Sequence, residues 1–304
     1  MKEIKKTAII GMGALGLLYG SRIIENLGED SVCFVADGDR VRRYRESSFT
    51  VNGQEKQFAL VEAGAAEPAD LVIVAVKYNA LPAALETMER CIGRDTTIIS
   101  VMNGINSEEI IGKRYGEGKV LFSIAQGMDA MKFGFALTYT QFGELRIGVQ
   151  APEQNGRLAA LTRFFDKAKV PYVAEDDIRT RMWGKFMLNV GVNQTCTAFE
   201  SDYAGVLAPG KAHDTMVSDM REVIALAELE GVHLTEEDLS YYVGLLRLLA
   251  PDGVPSMRQD SISHRKTEVE MFSGTVRKMA AAHGLDVPVN DWLYKRIKEL
   301  EADF

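Results

Sequence analysis

Two hydrophobic patterns divide this chain into an N-terminal and a C-terminal part. In the first part, short apolar runs alternate with stretches of helical spacing, and the runs Asp70–Val76 and Thr96–Met102 are almost continuously apolar. Strands that are buried on both faces of a parallel sheet have this composition. From about Asp177 the strand-like runs disappear, and amphipathic helical spacing takes over. The pattern predicts an α/β domain over residues 1–177 and an all-α domain over residues 178–304.

Weaker patterns predict the remaining elements. Alternation of apolar and polar residues over Val120–Ser123 and Leu145–Gly148 indicates an antiparallel pair of strands. In the C-terminal part, helical spacing over Ser263–His283 predicts one continuous helix, and Gly284 is of the residue type that commonly ends a helix. Asn290 is expected to cap the last helix. No low-complexity linker separates the two parts, so we expect two packed domains.

Composition and charge narrow the classes of function. The 304 residues are 46% hydrophobic and 26% charged, and the net charge is −8. These are the values of a globular protein that can bury a sizeable core, at a length that favours two domains. The negative charge argues against nucleic acid or an anionic membrane as the main partner. An anionic ligand must therefore be held by local positive groups.

Cysteines, histidines and apolar runs indicate where such a protein works. Three scattered cysteines are too few for a disulfide framework and fit a reducing compartment. The four histidines are isolated, so no metal site is predicted. No uninterrupted apolar stretch of about 20 residues is present, and the apolar run after the basic first residues lacks a cleavage site. We therefore expect a cytoplasmic protein without a membrane partner.

The strongest chemical signal is a glycine-rich turn between a strand and a helix. The strand candidate Thr7–Ile10 is followed directly by Gly11, Met12, Gly13, Ala14, Leu15 and Gly16. Glycines at this spacing let the chain turn sharply, bring backbone N–H groups against a pyrophosphate and direct a helix N-terminus at it. Many glycine-rich turns are only structural, but a strand before the turn and a helix after it favour dinucleotide binding.

Three further strand ends carry polar side chains. Asp37 ends the second strand at about 20 residues past the glycine turn, where such folds place an acid for the ribose hydroxyls. Lys77 and Asn103 follow the two buried strands, and ligands of a doubly wound sheet bind at the carboxyl ends of its strands. The alternatives are a solvated loop lysine and, for Asn103–Gly104, an ordinary turn. We favour a ligand site for all three side chains.

A second group of polar residues lies on a predicted buried helix. Lys185, Asn189 and Asn193 follow one another at four-residue spacing, so they form a stripe on one face. The intervening residues include Phe, Met, Leu and Val, so the helix is largely buried and the stripe needs polar partners. The stripe either forms a hydrogen-bond ladder to another helix or lines a polar pocket. In such a pocket Lys185 is a cation and a proton donor.

Two residues of the C-terminal part complete the set of candidates. Ser256 and Glu268 lie twelve residues apart, and either alone would be an ordinary surface residue. The neighbouring Asp260, His264 and Glu270 are interpreted as ordinary side chains without a chemical role. The weight of Ser256 and Glu268 therefore comes from their combination with the glycine turn and the stripe of Lys185.

Together these residues carry a resemblance that spans nearly the whole chain. The chain resembles ketopantoate reductases, which are also called 2-dehydropantoate 2-reductases. The matching positions are Gly11, Met12, Gly13, Ala14, Leu15, Gly16, Lys77, Asn103, Gly104, Lys185, Asn189, Asn193, Ser256 and Glu268. The resemblance implies an N-terminal Rossmann domain and an all-α C-terminal domain of the 6-phosphogluconate dehydrogenase type, with the site in the cleft between them. It also implies NADPH as hydride donor and 2-dehydropantoate as acceptor in the pantothenate pathway.

The resemblance also implies roles for individual residues. Lys185 is the general acid that protonates the carbonyl oxygen, Glu268 holds the substrate hydroxyl and helps to orient Lys185, and Ser256 binds the carboxylate. The implied substrate-binding residues are Asn103, Lys185, Asn189, Asn193, Ser256 and Glu268. The implied cofactor-binding residues are Gly11, Met12, Gly13, Ala14, Leu15, Gly16, Asp37, Lys77 and Asn103.

Three positions depart from the family pattern. Tyr203 and Gly253 stand where the family often has substrate-binding asparagines, which weakens the case for 2-dehydropantoate more than that for a 2-oxo acid reductase. Asp37 stands where many members have an arginine for the 2′-phosphate of NADPH, and it would repel that phosphate. Three cations close behind Asp37 would offset this repulsion: Arg40, Arg42 and Arg43. The resemblance therefore makes NADP the expected cofactor, and Asp37 makes NAD the alternative.

Other functions stay open on the sequence alone. A dehydrogenase of another branched 2-oxo acid or of a 3-hydroxy acid would also use the Lys185 stripe. A non-catalytic dinucleotide sensor would bind the cofactor without turnover, and the presence of Lys185 and Glu268 argues against it. A methyltransferase would use a glycine turn and an acidic strand end, but the helical second half has no role there. The expected partner is a small-molecule 2-oxo acid, and a homodimer is left open.

Overall fold

The computed structural model describes residues 3–304, which divide into two compact units. The first unit ends at Ile178 and the second covers Arg179–Phe304. The first unit is an α/β structure and the second is helical, as the hydrophobic pattern predicts. Among the described residues, no helix has the length and apolar character needed to cross a membrane.

Strands and helices alternate through the first unit, and helices continue through the second. The strands are β1 (Thr7–Ile10), β2 (Val32–Ala36), β3 (Phe49–Val51), β4 (Gln54–Lys56), β5 (Leu60–Glu62), β6 (Ala69–Val74), β7 (Ile92–Ser100), β8 (Val120–Gln126), β9 (Met131–Phe133), β10 (Ala136–Thr138), β11 (Glu144–Gly148) and β12 (Tyr172–Ala174). The helices are α1 (Ala14–Leu27), α2 (Gly38–Arg45), α3 (Leu81–Met88), α4 (Ser107–Tyr115), α5 (Asn155–Ala168), α6 (Ile178–Ala198), α7 (Tyr203–Leu207), α8 (Lys211–Leu229), α9 (Glu236–Leu246), α10 (Ser256–Ile262), α11 (Thr275–His283) and α12 (Pro288–Glu301).

The main sheet of the described residues has eight strands in the order β12–β11–β8–β7–β6–β1–β2–β5. All strands from β8 to β5 in this order pair in parallel. The predicted antiparallel pair is present as β8 and β11. However, β8 also pairs in parallel with β7, which the sequence did not indicate. Helix α4, between β7 and β8, provides the crossover that two parallel neighbours require.

Alternate residues of the parallel strands face two separate apolar clusters. Ile9, Ile73 and Ile99 belong to one cluster, to which helices α1 and α5 contribute. Ile10 and Val74 belong to the other, to which helices α3 and α4 contribute. Each central strand therefore buries both of its faces, and its side chains are apolar without alternation for that reason.

A smaller sheet of four strands, in the order β4–β3–β10–β9, also belongs to the first unit. Its strands are only three residues long, and the ladder alone would hold them weakly. The Phe49 ring packs edge to face on Phe58 and on Phe135, with ring centroids 5.7 and 5.1 Å apart. These aromatic contacts, rather than the length of the strands, stabilise the sheet.

The helix predicted over Ser263–His283 is wrong in its first half. The chain forms α10 up to Ile262, then a loop, the π-helical turn Glu270–Gly274 and finally α11. His264 has a φ of +50°, a left-handed backbone conformation that an α-helix does not continue. Thr267 then bonds to Glu301 of α12 instead of to a helical neighbour. The loop therefore depends on contacts that spacing along the sequence does not show.

The last two helices differ in how well their ends were predicted. Gly284 ends α11 with a left-handed φ of +68°, as expected for this residue type. Asn290 does not cap α12, because the helix begins at Pro288 and its N-cap is Val287. The Asn290 side chain is instead fully buried and donates its amide to Glu222 of α8 at 2.9 Å.

Candidate active site

The turn between β1 and α1 is tight at two of its glycines. Gly11 has a φ of +109°, and a Cβ on it would lie 2.8 Å from the carbonyl carbon of Ala75. A Cβ on Gly16 would overlap the carbonyl group of Gly11. Because side chains do not tolerate such contacts, the turn itself requires both glycines.

Gly13, in contrast, is not required by the packing of the turn. Its φ of −76° suits any residue, and a Cβ on it would lie 3.7 Å from the carbonyl oxygen of Ala75, an ordinary contact distance. Gly13 is exposed at the start of α1, where no side chain caps the helix. A glycine at this position leaves the N-terminal N–H groups open to a close ligand, and a pyrophosphate fits them in charge and hydrogen bonding.

The predicted cofactor residues follow neighbouring strands at one edge of the main sheet. Strands β7, β6, β1 and β2 are consecutive parallel neighbours, so their carboxyl ends meet at the same edge. Asn103, Lys77, Gly11 and Asp37 each follow the end of one of these strands within three residues. Strand β1 lies between β2 and β6, where the strand order reverses, and open α/β sheets bind their ligands at such a point.

Asp37 is exposed and is engaged by the helix that follows it. Its Oδ1 accepts the N–H of Arg40 at 2.8 Å, so Asp37 is the N-cap of α2. Its Oδ2 lies 3.4 Å from the guanidinium of Arg40. Arg42 pairs with Asp39 instead. The negative charge of Asp37 is therefore offset by Arg40, and the two form a mixed acidic and basic surface at the end of β2.

Lys77 and Asn103 differ in their exposure. Lys77 is exposed and precedes the 3-10 turn Tyr78–Ala80. Asn103 is half-buried, and Gly104 after it has a φ of +91°. Asn103 thus precedes a glycine with a left-handed backbone, as in an ordinary turn, and this turn lies at the carboxyl edge of the sheet, where a ligand site is predicted.

Helix α6 positions Lys185, Asn189 and Asn193 on one stripe. Lys185 and Asn189 are half-buried, and Asn193 is 4% exposed. The Asn193 side-chain amide donates to Oδ1 of Asn189 at 3.4 Å, and Oδ1 of Asn193 accepts the backbone N–H of Met257 at 3.2 Å. The hydroxyl of Ser256 lies 3.5 Å from the same oxygen. The structure therefore joins Asn189, Asn193 and Ser256 in a hydrogen-bonded row, which fixes the orientation of both amides.

Glu268 lies half-buried directly ahead of the π-helical turn. Its carbonyl oxygen accepts the N–H of Met271 at 2.9 Å and that of Phe272 at 3.1 Å. The preceding Thr267 is held by Glu301, which accepts its N–H at 2.7 Å and its hydroxyl at 2.6 Å. Burial opposes the ionisation of Glu301, but these hydrogen bonds, together with the hydrogen bond and charge of Lys298, outweigh it and hold the pKa of its carboxyl below the usual value. The backbone at Glu268 is thus fixed from both sides.

The two departures from the family pattern in the second unit are in contact with each other. The N–H of Tyr203 donates to the carbonyl oxygen of Gly253 at 3.0 Å, and a Cβ on Gly253 would lie 3.1 Å from the Tyr203 ring. Burial and the nearby Cys196 thiol raise the pKa of Tyr203 to about 12, so the phenol is neutral at ordinary pH. Gly253 lies three residues before Ser256. The Tyr203 ring therefore lies in the region where the family often has two asparagine side chains.

Sequence reasoning missed a group of polar side chains that hydrogen-bond to one another around Gln194 of α6. Its members are the buried Gln194, Asp219, Ser273 and Asn290 and the half-buried Glu222. Asp219 and Glu222 are neighbours on α8, but the other members lie on other elements, and only the fold brings them together. One signal was available: Gln194 directly follows Asn193, so it must face away from the stripe on a helix that is buried on both sides.

Comparison with family models identifies the chain. The model for ketopantoate reductase PanE/ApbA matches residues 7–150, and that for the C-terminal part of ketopantoate reductase PanE/ApbA matches residues 177–301. The chain belongs to the ketopantoate reductase family. The resemblance drawn from the glycine turn and the Lys185 stripe is therefore confirmed, whereas the roles of the single residues stay predictions.

Curated relatives in the ketopantoate reductase family match the chain over its whole length. The 2-dehydropantoate 2-reductase of Streptococcus pyogenes serotype M6 is 23% identical over 299 residues, which are 97% of this chain and 97% of that protein. The 2-dehydropantoate 2-reductase of Aquifex aeolicus is 26% identical over an alignment of 312 residues, which covers 98% of this chain and 97% of that protein.

Solved structures share the fold. The PanE/ApbA family ketopantoate reductase from Ralstonia eutropha JMP134 has a TM-score of 0.83 at 22% identity, and covers 98% of this chain and 99% of that chain. D-mandelate dehydrogenase, in a ternary structure with NADH and anilino(oxo)acetate, has a TM-score of 0.86 at 22% identity and covers 98% of both chains. The predicted Rossmann-type N-terminal domain and all-α C-terminal domain are confirmed.

Proposed function

We propose that this protein reduces 2-dehydropantoate to pantoate with NADPH as hydride donor, a step of pantothenate biosynthesis. A hydrogen-bonded row carries the proposal: Asn189 and Asn193 lie on the α6 stripe that contains Lys185, and Ser256 of α10 bonds to Asn193. Amides and a hydroxyl next to an ammonium group suit a carboxylate that adjoins a carbonyl group. The relatives named 2-dehydropantoate 2-reductase support this acceptor.

The first unit offers the groups that would hold the dinucleotide. The N-terminus of α1 and the open position at Gly13 would bind the pyrophosphate, and Asp37 with Arg40 would bind the adenosine ribose and its phosphate. Lys77 and Asn103 would contact the cofactor further along the same edge of the sheet. When bound, the dihydronicotinamide supplies the hydride for the carbonyl carbon of the substrate.

The second unit offers the acid and the groups that would bind the substrate. Negative charge grows on the carbonyl oxygen during reduction, and the Lys185 ammonium would stabilise it and then donate a proton to it. Lys185 would regain the proton from solvent. Ser256 would donate its hydroxyl to the substrate carboxylate, next to the fixed amide of Asn193. Glu268 would accept a hydrogen bond from the substrate hydroxyl and would orient the ammonium group of Lys185.

The glycine turn provides a matched pair of variants for the cofactor site. We expect Gly13→Ala to lower the Tm only slightly, since alanine is a poorer N-cap than glycine, but to raise the Kd for NADPH about tenfold, because a methyl group there would stand between the phosphates and the N–H groups. Gly16→Ala, whose Cβ would overlap the Gly11 carbonyl group, should lower the Tm much more. Thermal melts and cofactor fluorescence measure the two effects. A wild-type Kd for Gly13→Ala would contradict pyrophosphate binding at this turn.

Arg40 allows a test of the preference for NADPH over NADH. We expect Arg40→Ala to raise the KM for NADPH about tenfold and to leave the KM for NADH nearly unchanged, because only NADPH has the phosphate that pairs with the guanidinium. Arg42→Ala is the control, since Arg42 pairs with Asp39. If the wild-type enzyme strongly prefers NADH, NAD is the cofactor and Asp37 binds the ribose hydroxyls.

The proposed activity is tested by oxidation of NADPH in the presence of 2-dehydropantoate, with NADH as a second donor. Turnover that prefers 2-dehydropantoate over other branched 2-oxo acids is the expected result. Cofactor binding without turnover of any 2-oxo acid would contradict the proposal and favour a dinucleotide sensor.

A second candidate is reduction of another branched 2-oxo acid, one without a hydroxyl group. The contact between Tyr203 and Gly253 favours it, because an aromatic ring offers apolar surface instead of amides. The D-mandelate dehydrogenase of the same fold holds anilino(oxo)acetate, which supports substrates with an apolar group. In the same assay, 3,3-dimethyl-2-oxobutanoate differs from 2-dehydropantoate by one hydroxyl. A higher kcat/KM for this analogue would select the second candidate.

A further inference from the structure

Gln194 is a buried glutamine that connects helix α6 to the π-helical turn Glu270–Gly274. It is 0% exposed and directly follows Asn193. Its carbonyl oxygen accepts the backbone N–H of Ser273 at 3.0 Å and also the Ser273 hydroxyl. A buried carboxamide is costly unless both of its ends are hydrogen-bonded, so these bonds are specific features of this packing.

The N–H of Ser273 needs this acceptor because of the geometry of the turn. In an α-helix it would donate to the carbonyl oxygen of Val269, four residues earlier. Here that oxygen accepts the N–H of Gly274 at 3.0 Å, five residues later, as in a π-helix. The N–H of Ser273 is therefore displaced, and the Gln194 side chain accepts it. Gln194 thus stabilises the turn in its π-helical form.

The π-helical turn also determines the backbone conformation at Glu268. The carbonyl oxygen of Glu268 accepts the N–H groups of Met271 and Phe272, which lie inside the turn. Phe272 also packs on Phe186 of α6, with ring centroids 6.4 Å apart. If the turn relaxed to an α-helix, the residues ahead of it would rotate by about 100° around the helix axis. The direction of the Glu268 side chain therefore depends on the turn.

The amide end of Gln194 is anchored on the other side. Its Nε2 donates to Asp219 at 3.2 Å and lies 3.4 Å from the side-chain oxygen of Asn290. Burial and the nearby charge of Glu222 raise the pKa of Asp219 well above its usual value, which favours the neutral acid. Glu222 accepts the backbone N–H and the amide of Asn290, both at 2.9 Å. These partners hold the Gln194 oxygen toward Ser273.

We propose that Gln194 is a positioning residue of the reductase reaction, which keeps Glu268 in its working orientation by holding the π-helical turn on α6. This inference rests on the proposed function, in which Glu268 binds the substrate and orients Lys185. Gln194 is fully buried, so we expect it to act through the turn and not by binding the substrate or the cofactor. Gln194 attaches the π-helical turn, which follows Glu268, to helix α6, which contains Lys185.

Gln194→Met tests the inference, because methionine has a similar length and lacks the hydrogen bonds. Gln154→Met is the matched control: Gln154 is 3% exposed, accepts the N–H of Gln150 at 2.7 Å and donates to Val120 at 2.7 Å, all in the first unit. Hydrogen exchange over residues 268–275 reports on the turn without any need for activity. Steady-state kinetics are measured for both variants, alone and combined with Glu268→Ala.

We expect Gln194→Met to speed exchange in the turn about tenfold, because Ser273 loses a buried acceptor. We also expect kcat to fall about tenfold, as a small misplacement of a catalytic group suffices for that. In the Glu268→Ala background Gln194→Met should cause no further loss, since its effect passes through Glu268. Gln154→Met should lower the Tm without either effect.

Unchanged exchange in the turn of Gln194→Met would overturn the inference. The inference would also fail if Gln194→Met lowered kcat by the same factor in the wild type and in the Glu268→Ala variant. Gln194 would then have a general structural role that does not act through Glu268. If wild-type protein reduces no 2-oxo acid, the proposed function fails, while the exchange experiment still decides whether Gln194 holds the turn. If Gln194→Met does not fold, Ser273→Ala removes the hydroxyl contacts with Gln194 and Asn290 but keeps the backbone bond to Gln194, and it should give the same changes at smaller size.

Discussion

We expect Lys185→Ala to lower kcat for 2-dehydropantoate at least about a hundredfold, the lower part of the range for a general acid–base group. In the proposed mechanism, the substitution removes both the cation that would stabilise charge on the carbonyl oxygen and the donor of the proton. The row of Asn189, Asn193 and Ser256 is joined by hydrogen bonds among its own members, so the substrate should still bind. The loss is therefore expected mainly in kcat and less in KM.

Steady-state oxidation of NADPH at saturating substrate measures this effect. The Kd for NADPH, measured on the same preparation, should stay at the wild-type value because the predicted cofactor residues lie in the first unit. Lys278→Ala is the control, since it removes an exposed lysine of α11 in the second unit. Near-normal kcat for Lys185→Ala would exclude the lysine from the mechanism.

The glycine turn and the parallel sheet could be predicted because their causes are local. Gly11 and Gly16 are fixed by contacts within a few residues of themselves and with the neighbouring strand, and the motif spacing encodes these contacts. The strands around β6 and β7 are apolar on both faces, which identifies buried parallel strands from composition alone. The edge at which Asp37, Lys77 and Asn103 meet then follows from the rule that parallel strands end together.

The loop and π-helical turn around Glu268 could not be predicted, because they depend on distant partners. The sequence over Ser263–His283 has helical spacing, yet Thr267 donates a hydrogen bond to Glu301 and Ser273 donates one to Gln194. Neither partner is near in the sequence, and both side chains look like ordinary polar residues there. The family resemblance identified Glu268 as a candidate, but only the fold explains how its backbone is held.

The polar stripe on α6 is an intermediate case. Four-residue spacing placed Lys185, Asn189 and Asn193 on one face, which the structure bears out in the bond between the two amides. The spacing left open whether the stripe is a ladder or a pocket wall. In the structure the ladder ends at Ser256, which is exposed at the start of α10. The structure thus shows the ladder, and the pocket wall stays a prediction, in which this ladder would orient the groups that are proposed to bind the substrate.

Glu268→Ala should produce the second large effect, and it should change both kinetic constants. If Glu268 binds the substrate hydroxyl, its loss raises KM, and if it also orients Lys185, its loss lowers kcat. Each effect is expected to be about tenfold, the value of one charge-assisted hydrogen bond. A residue that only stabilised the loop would lower the Tm and leave both constants nearly unchanged.

A substrate analogue and a variant of a neighbouring glutamate distinguish substrate binding, orientation of Lys185 and a purely structural role of Glu268. With 3,3-dimethyl-2-oxobutanoate, which lacks the hydroxyl, Glu268→Ala should leave KM nearly unchanged while the loss in kcat remains. Glu270→Gln is the matched control, because Glu270 accepts the Tyr294 hydroxyl at 2.8 Å and lies 3.5 Å from Lys298 within the second unit. It should lower the Tm slightly and leave both constants unchanged. Wild-type kinetics for Glu268→Ala with both substrates would make Glu268 a structural residue, and its support by the π-helical turn would then serve folding alone.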